Sequence, residues 1–228
     1  MPAGALGLAL ASRAVSGPHR LAGARARRGL RPRPDAAPWR HAGIEADGVD
    51  SSARMLALAA AEPDPPAARW FQSSGDDCGA APSSTYDLVT MFHALQRVTD
   101  RVARQRLLAD MARVLTEGGM VHLQVPFFLD RTPDTVPPPH VPWCAGDEAA
   151  LASAGRGEVW VTPAELPAVL ADVGASFHDV RFQIVEFTGA PAFTAGLVER
   201  RAHLLISASK GPALAGVVYA IAPHVPTR

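Results

Sequence analysis

Apolar residues along this chain come in short runs, and their spacing changes between strand-like and helix-like periods. Ile44 to Asp50 is a partly apolar run that ends in an acid. Ser51-Ser52 then offers an N-cap for a helix through Arg54-Met55-Leu56-Ala57-Leu58-Ala59, closed by Pro63. Tyr86 to Phe92 predicts a buried strand behind the turn-rich stretch Gly75 to Ser84. Thr99 or Asp100 caps the next helix, whose Leu107, Leu108, Met111, Val114 and Leu115 fall on one face. Gly118-Gly119 supplies a left-handed stop, and Met120 to Phe128 is a further apolar strand. Strand, helix and strand in this order make a βαβ unit and predict a parallel sheet.

Outside that unit the pattern is uneven. Residues 1 to 40 sustain neither period, and Pro18, Pro32, Pro34 and Pro38 interrupt any helix, so this Arg/Pro-rich segment is expected to be irregular. Asp130 to Gly157 is a long proline-rich insertion of the kind that forms lids or disordered segments. Thr162-Pro163-Ala164-Glu165 combines an N-cap threonine, a proline at the first helical position and a capping-box glutamate, and Gly174 closes the helix. Phe177 to Phe187 and Ala202 to Ser209 are two strands without enough intervening pattern for a regular crossover helix, expected to pair antiparallel at the sheet edge. The expected organisation is therefore an irregular segment over 1 to 40, one domain over 41 to 209 and a tail over 210 to 228.

Composition narrows the function classes. An apolar share of 48%, with 22 basic residues against 22 acidic, describes an ordinary globular chain with no electrostatic call for nucleic acid or an anionic membrane. Cys78 and Cys144 are too few for a disulfide framework or a zinc site, which suits a reducing compartment such as the cytoplasm. Residues 1 to 34 hold arginines and serines but no acid, a composition shared with transit peptides.

A strand ending in an acid at the carboxyl edge of a parallel sheet can hold a ribose, because one carboxylate accepts from two vicinal hydroxyls. Asp50 has that position. Around it, Gly48 to Leu56, Gly75-Asp76-Asp77, Tyr86-Asp87-Leu88-Val89 and Arg113-Val114-Leu115-Thr116-Glu117-Gly118-Gly119 occur in the order seen in class I S-adenosylmethionine-dependent methyltransferases, which the chain resembles over residues 43 to 209. The resemblance implies a Rossmann-like, doubly wound α/β fold with a mostly parallel sheet and an antiparallel last strand. It implies S-adenosylmethionine as cofactor, with Asp50 on the ribose, Ser51 beside the adenine, Asp76 or Asp77 accepting from its amino group and Phe92 lining the methionine side. The implied reaction is methyl transfer to a small molecule by direct displacement, without a metal.

His93 stands where a general base could act, although methyl transfer can proceed on alignment alone. His122 reads as a core histidine, and His140, Trp143 and Cys144 would reach substrate only if the insertion closes as a lid. One family element is missing: near residue 30, where a first strand and Gly-x-Gly loop should lead to Asp50, the chain reads Arg27-Arg28-Gly29-Leu30-Arg31-Pro32-Arg33-Pro34. The fold is accordingly expected without a regular first strand. Read one nucleotide later with GC-rich codons, Gly29 to Ala36 can give Ala-Cys-Gly-Arg-Gly-Arg-Met, so a shifted reading frame is one origin for the segment before residue 41. A catalytically silent interaction or regulatory subunit with the same fold is the alternative function.

Overall fold

The computed structural model describes residues 8–12, 45–61, 69–92, 94–135, 140–144, 158–186 and 201–211. Its main sheet has seven strands in the order β3-β2-β1-β4-β5-β9-β8. These are β1 (Leu8–Ser12), β2 (Glu45–Asp50), β3 (Trp70–Gln72), β4 (Tyr86–Phe92), β5 (Leu115–Phe128), β8 (His178–Glu186) and β9 (Arg201–Ser209). A small parallel pair, β6 (His140–Pro142) with β7 (Glu158–Trp160), stands apart. The helices are α1 (Ala53–Ala60), α2 (Arg101–Val114) and α3 (Leu166–Gly174).

Local signals set most element ends. Ser52 caps α1, its Oγ accepting from Met55 N at 3.3 Å, and Asp100 caps α2 by accepting from Val102 N at 2.8 Å. The capping box at Thr162 and Glu165 is formed in full, opening a short 3-10 turn that leads into α3. Leu107, Leu108, Met111 and Val114 of α2 are fully buried against Val89, Met91, Val121, Leu123 and Val125 of the sheet. Burial of such side chains contributes about 1.5–3 kcal/mol each. The closing strands pair antiparallel as expected, with β9 lying between β5 and β8.

Three expectations are corrected. The slot of the first strand is filled: β1 sits between β2 and β4 and pairs antiparallel with both. Without it, β2 and β4 would each present a row of unpaired backbone groups in the middle of the sheet. The sheet is consequently mixed rather than mostly parallel, since only β2–β3 and β4–β5 run parallel. The third correction concerns Gly118-Gly119, which does not stop α2. The helix ends at Val114 with Leu115 already extended, and the glycines lie within β5. Gly118 has φ +76 and donates to Lys210 O, while Lys210 N donates to Gly119 O. This irregularity faces the register shift between Tyr86 and Leu88, where a side chain at position 119 would meet Thr116 O at 2.9 Å.

Gly48 is needed for a different reason. A Cβ there would lie 2.0 Å from Trp70 Cζ3, because the indole of the neighbouring β3 covers the glycine. Gly48→Ala is expected to displace Trp70 and lower stability by about 1–3 kcal/mol, as overpacking typically does. Equilibrium urea unfolding followed by tryptophan fluorescence measures this; an unchanged midpoint would contradict it.

Candidate functional site

The carboxyl ends of β2, β3 and β4 lie along one edge of the main sheet, and the strand register places their side chains. Ala9 of β1 pairs with Gly48 on one side and Thr90 on the other, so those two residues are level and share a face. Asp50 and Phe92 each follow two residues further in the same direction. They are therefore level and on the same face, with one strand between them, roughly 10 Å apart at normal strand spacing. Asp50 pairs with Gln72, and Ser73 N donates to Asp50 O at 3.1 Å, which brings the loop after β3 beside it.

Asp50 is half-buried, and burial raises its pKa while the hydrogen bond from Ser52 N opposes the rise. Its Oδ1 accepts from Ser52 N at 2.7 Å. Oδ2 accepts no hydrogen bond from a described residue. Ser51 is half-buried beside it, at the turn into α1.

Asp76 and Asp77 shape the neighbouring loop. Asp77 Oδ1 accepts from Ser74 N at 3.1 Å and Gly79 N at 2.9 Å, and Oδ2 accepts from Ser74 Oγ at 2.7 Å. Burial raises its pKa, but these hydrogen bonds outweigh that and hold the carboxyl below its ordinary value. Asp76 accepts from Ser74 Oγ and pairs with Arg106 at 2.8 Å. Both carboxylates are thus engaged in the fold of the turn, and the structure brings the loop, Asp50 and Ser51 to one place with Phe92 across β1. His93 lies outside the described residues, as does the stretch around residue 30.

The direction of β1 bears on the same edge. Ser12 pairs with Glu45, so β1 ends at the amino edge of β2, opposite Asp50.

Beyond Phe92, β5 continues. Phe92 pairs with Gln124, whereas β5 runs on to Phe128, flanked by Arg201 of β9 on one side and by Val161, bridged to Phe127, on the other. Phe128 and Trp160 stack at 4.2 Å between centroids, His140 meets both edge-on, and the Arg201 guanidinium lies 5.2 Å from the Trp160 ring. Sequence reading missed this group because its members are scattered across β5, β6, β7 and β9.

The described parts of the insertion pack into the body. Trp143 is fully buried, its Nε1 donating to Asp172 at 2.8 Å and its carbonyl accepting from Arg104. Asp172 also accepts from Arg101 at 3.1 and 2.9 Å and from Gln105 at 3.0 Å. Cys144 N donates to Glu165, and Arg97 pairs with Glu158 at 2.6 Å. Trp143, which would reach substrate only if the insertion closed as a lid, is here packed into the body: a large indole with a buried donor finds its partner in the carboxylate of α3. His122 is in the core, as expected, with Nδ1 2.7 Å from Ser207 Oγ.

A second buried polar group lies nearer the amino edge. Tyr86 Oη donates to Asp47 at 2.8 Å, and Arg69 grips the same carboxylate at 2.7 Å. Its place, away from Asp50 and Phe92, gives it a structural part in joining β2, β3 and β4. Among the described residues, no helix is long and apolar enough to cross a membrane.

Residues 35–119 match the family model described as "Methyltransferase domain". No curated protein matches the chain. Similar solved structures include a SAM-dependent methyltransferase from Methanosarcina mazei, 17% identical with TM-score 0.46, covering 72% of this chain and 81% of that one. YcgJ from Bacillus subtilis is 15% identical with TM-score 0.46, covering 72% and 82%. Phosphoethanolamine N-methyltransferase 2 from Haemonchus contortus, in complex with S-adenosyl-L-methionine, is 13% identical with TM-score 0.47, covering 72% and 43%. Likenesses this slight do not bear on activity. The part of the chain from residue 35 to residue 119, which holds β2 to the start of β5, matches the methyltransferase domain family and sits in an α/β sheet of Rossmann-like build.

Proposed function

We propose that this chain binds S-adenosylmethionine at the carboxyl edge of β2, β3 and β4 and transfers its methyl group to a small-molecule acceptor. The observation that carries the reading is the shared level and face of Asp50 and Phe92, with the Ser73 to Asp77 loop alongside. Asp50 Oδ2, which takes no hydrogen bond from a described residue, accepts from the ribose hydroxyls. Ser51 and the loop border the adenine, and Phe92 lines the methionine side. The bound cofactor supplies an electrophilic methyl group. The chain's part is to align an acceptor with it, which by itself can lower the barrier substantially.

A second reading, a silent relative acting as an interaction or regulatory subunit, is favoured by one observation. β1 runs antiparallel to β2 and ends at Ser12 beside Glu45, so the carboxyl end of this central strand lies at the edge opposite Asp50 and does not meet the carboxyl ends of β2 and β4. Isothermal titration with S-adenosylmethionine separates the two. For the first reading the wild type gives saturable heat, and Asp50→Ala weakens binding by about tenfold to a hundredfold, that is about 1.4–2.7 kcal/mol. Absence of heat from the folded wild type at millimolar cofactor supports the silent reading instead.

A further inference from the structure

We propose that β8 is a self-association edge, through which two copies of this chain join their sheets about a two-fold axis passing at Phe182. Among the described residues no further strand lies beside either end of the main sheet, and the two end strands differ. β3 at one end is only three residues long, a length that itself discourages pairing. β8 at the other end runs nine residues, from His178 to Glu186. An edge of that length offers a row of outward backbone donors and acceptors to any strand that fits. Natural edges are usually blunted with lysine, proline or inward charges, and β8 has no lysine or proline at all.

One guard is present, and it limits where pairing can occur. β8 shifts register against β9 between His178 and Arg181, and Asp179 has φ +50. This bulge confines regular pairing to the stretch after Asp179. Within that stretch, Val180, Phe182 and Ile184 share the face turned to the core, while Arg181, Gln183 and Val185 share the other. Phe182 is 48% exposed, an uncommon state for a phenylalanine between two partly buried aliphatic residues.

Self-complementarity selects one register. A continuous antiparallel sheet made by a two-fold axis keeps each residue's face, so the axis must fall on a residue. With the axis at Phe182, Phe182 meets its own copy, Val180 meets Ile184 twice, and Arg181 meets Gln183 twice. Apolar then faces apolar on one side, and polar faces polar on the other. An axis at Arg181 sets two guanidinium groups against each other. An axis at Ile184 sets Phe182 against Glu186. An axis at Gln183 leaves Arg181 opposite Val185 and Val180 opposite Glu186. Within the stretch after Asp179, to which the bulge confines pairing, the register at Phe182 joins the most residues without a mismatch.

Pairing over so few residues gives a small interface, so the dimer forms at concentrations above micromolar. Sedimentation velocity on the full chain is expected to show a monomer at about 1 µM and a dimer growing in towards roughly 200 µM. Phe182→Lys, at an exposed site that leaves the core intact, should raise the dissociation constant at least about tenfold, and Phe182→Glu should do the same. Because position 182 meets itself, an equimolar mixture of the two variants should recover the dimer, now with opposite charges on the axis. Circular dichroism confirms that each variant is folded. A wild type that stays monomeric at the highest concentration overturns the proposal, as does a dimer indifferent to Phe182→Lys. Failure of the mixture to recover overturns the register and with it the two-fold axis at Phe182.

Discussion

Arg104→Ala is expected to lower the unfolding free energy by about 3–5 kcal/mol, the largest effect of any single change considered for this chain. The side chain is fully buried, and burial pulls its pKa down to about 10, still charged at neutral pH. Its Nη1 donates to Val98 O at 2.9 Å and Thr99 O at 2.8 Å, and its Nη2 donates to Trp143 O. The guanidinium also lies 4.3 Å from the centroid of the Trp143 ring. Removal leaves three carbonyls without their donor, at about 1–3 kcal/mol each, and opens space under the indole. Relief of the buried cation's desolvation offsets part of that sum. In a chain of this size the melting temperature should fall by about 10 °C. Arg104→Lys keeps the charge but cannot span three carbonyls in one plane, so its loss should be smaller. Thermal melts of both variants test this, together with Trp143 emission, which should shift to the red in the alanine variant. A loss below about 1 kcal/mol for Arg104→Ala would show that the clamp contributes little.

The second large effect is a pH dependence carried by His122. Burial in β5 lowers its pKa from 6.5 to about 4, so the folded chain holds it neutral. The unfolded chain takes up a proton near pH 6.5, before the folded chain does. Stability from this group is therefore complete above about pH 6.5 and falls as the pH drops towards 4. A shift of this size corresponds to about 3 kcal/mol across the window. The lowered carboxyl groups of Asp77, Asp110 and Asp172 act elsewhere, below the ordinary value of 3.8. His122→Gln keeps a group able to hydrogen-bond Ser207 and removes the titration. The slope of unfolding free energy between pH 6.5 and 4 should flatten in that variant relative to wild type. Equal slopes in the two would assign the acid sensitivity to other groups.

The strand-and-helix core was legible because its signals are local. The stripe from Leu107 to Leu115, the strand Tyr86 to Phe92, the caps at Ser52 and Asp100 and the box at Thr162 each depend on residues within a turn or two of one another. The edge pairing of the last two strands was legible for a related reason: no helical pattern between them signals a crossover helix. Gly118-Gly119 misled because two glycines after a helical stripe look like a helix stop, while here they lie within β5, opposite the register shift of its neighbour β4. The site was legible in part. Asp50 at a strand end, the turn at Asp76 and Asp77, and Phe92 were each readable as candidates, but the common level of Asp50 and Phe92 depends on pairings with β1.

What local pattern decided for this protein is where elements start and stop and which side of each turns inward, since period and capping act over a few residues. Packing across the sheet decided the rest. It placed Leu8–Ser12 in the central slot and set its direction, because the edges of β2 and β4 need partners and an antiparallel strand supplies them as well as a parallel one. It drew Trp143 of the insertion into the body, because a buried indole donor requires an acceptor and Asp172 is within reach. It assembled Phe128, His140, Trp160 and Arg201 from four strands. Each of these outcomes depends on contacts between residues far apart in the chain, formed only once the sheet has closed around them.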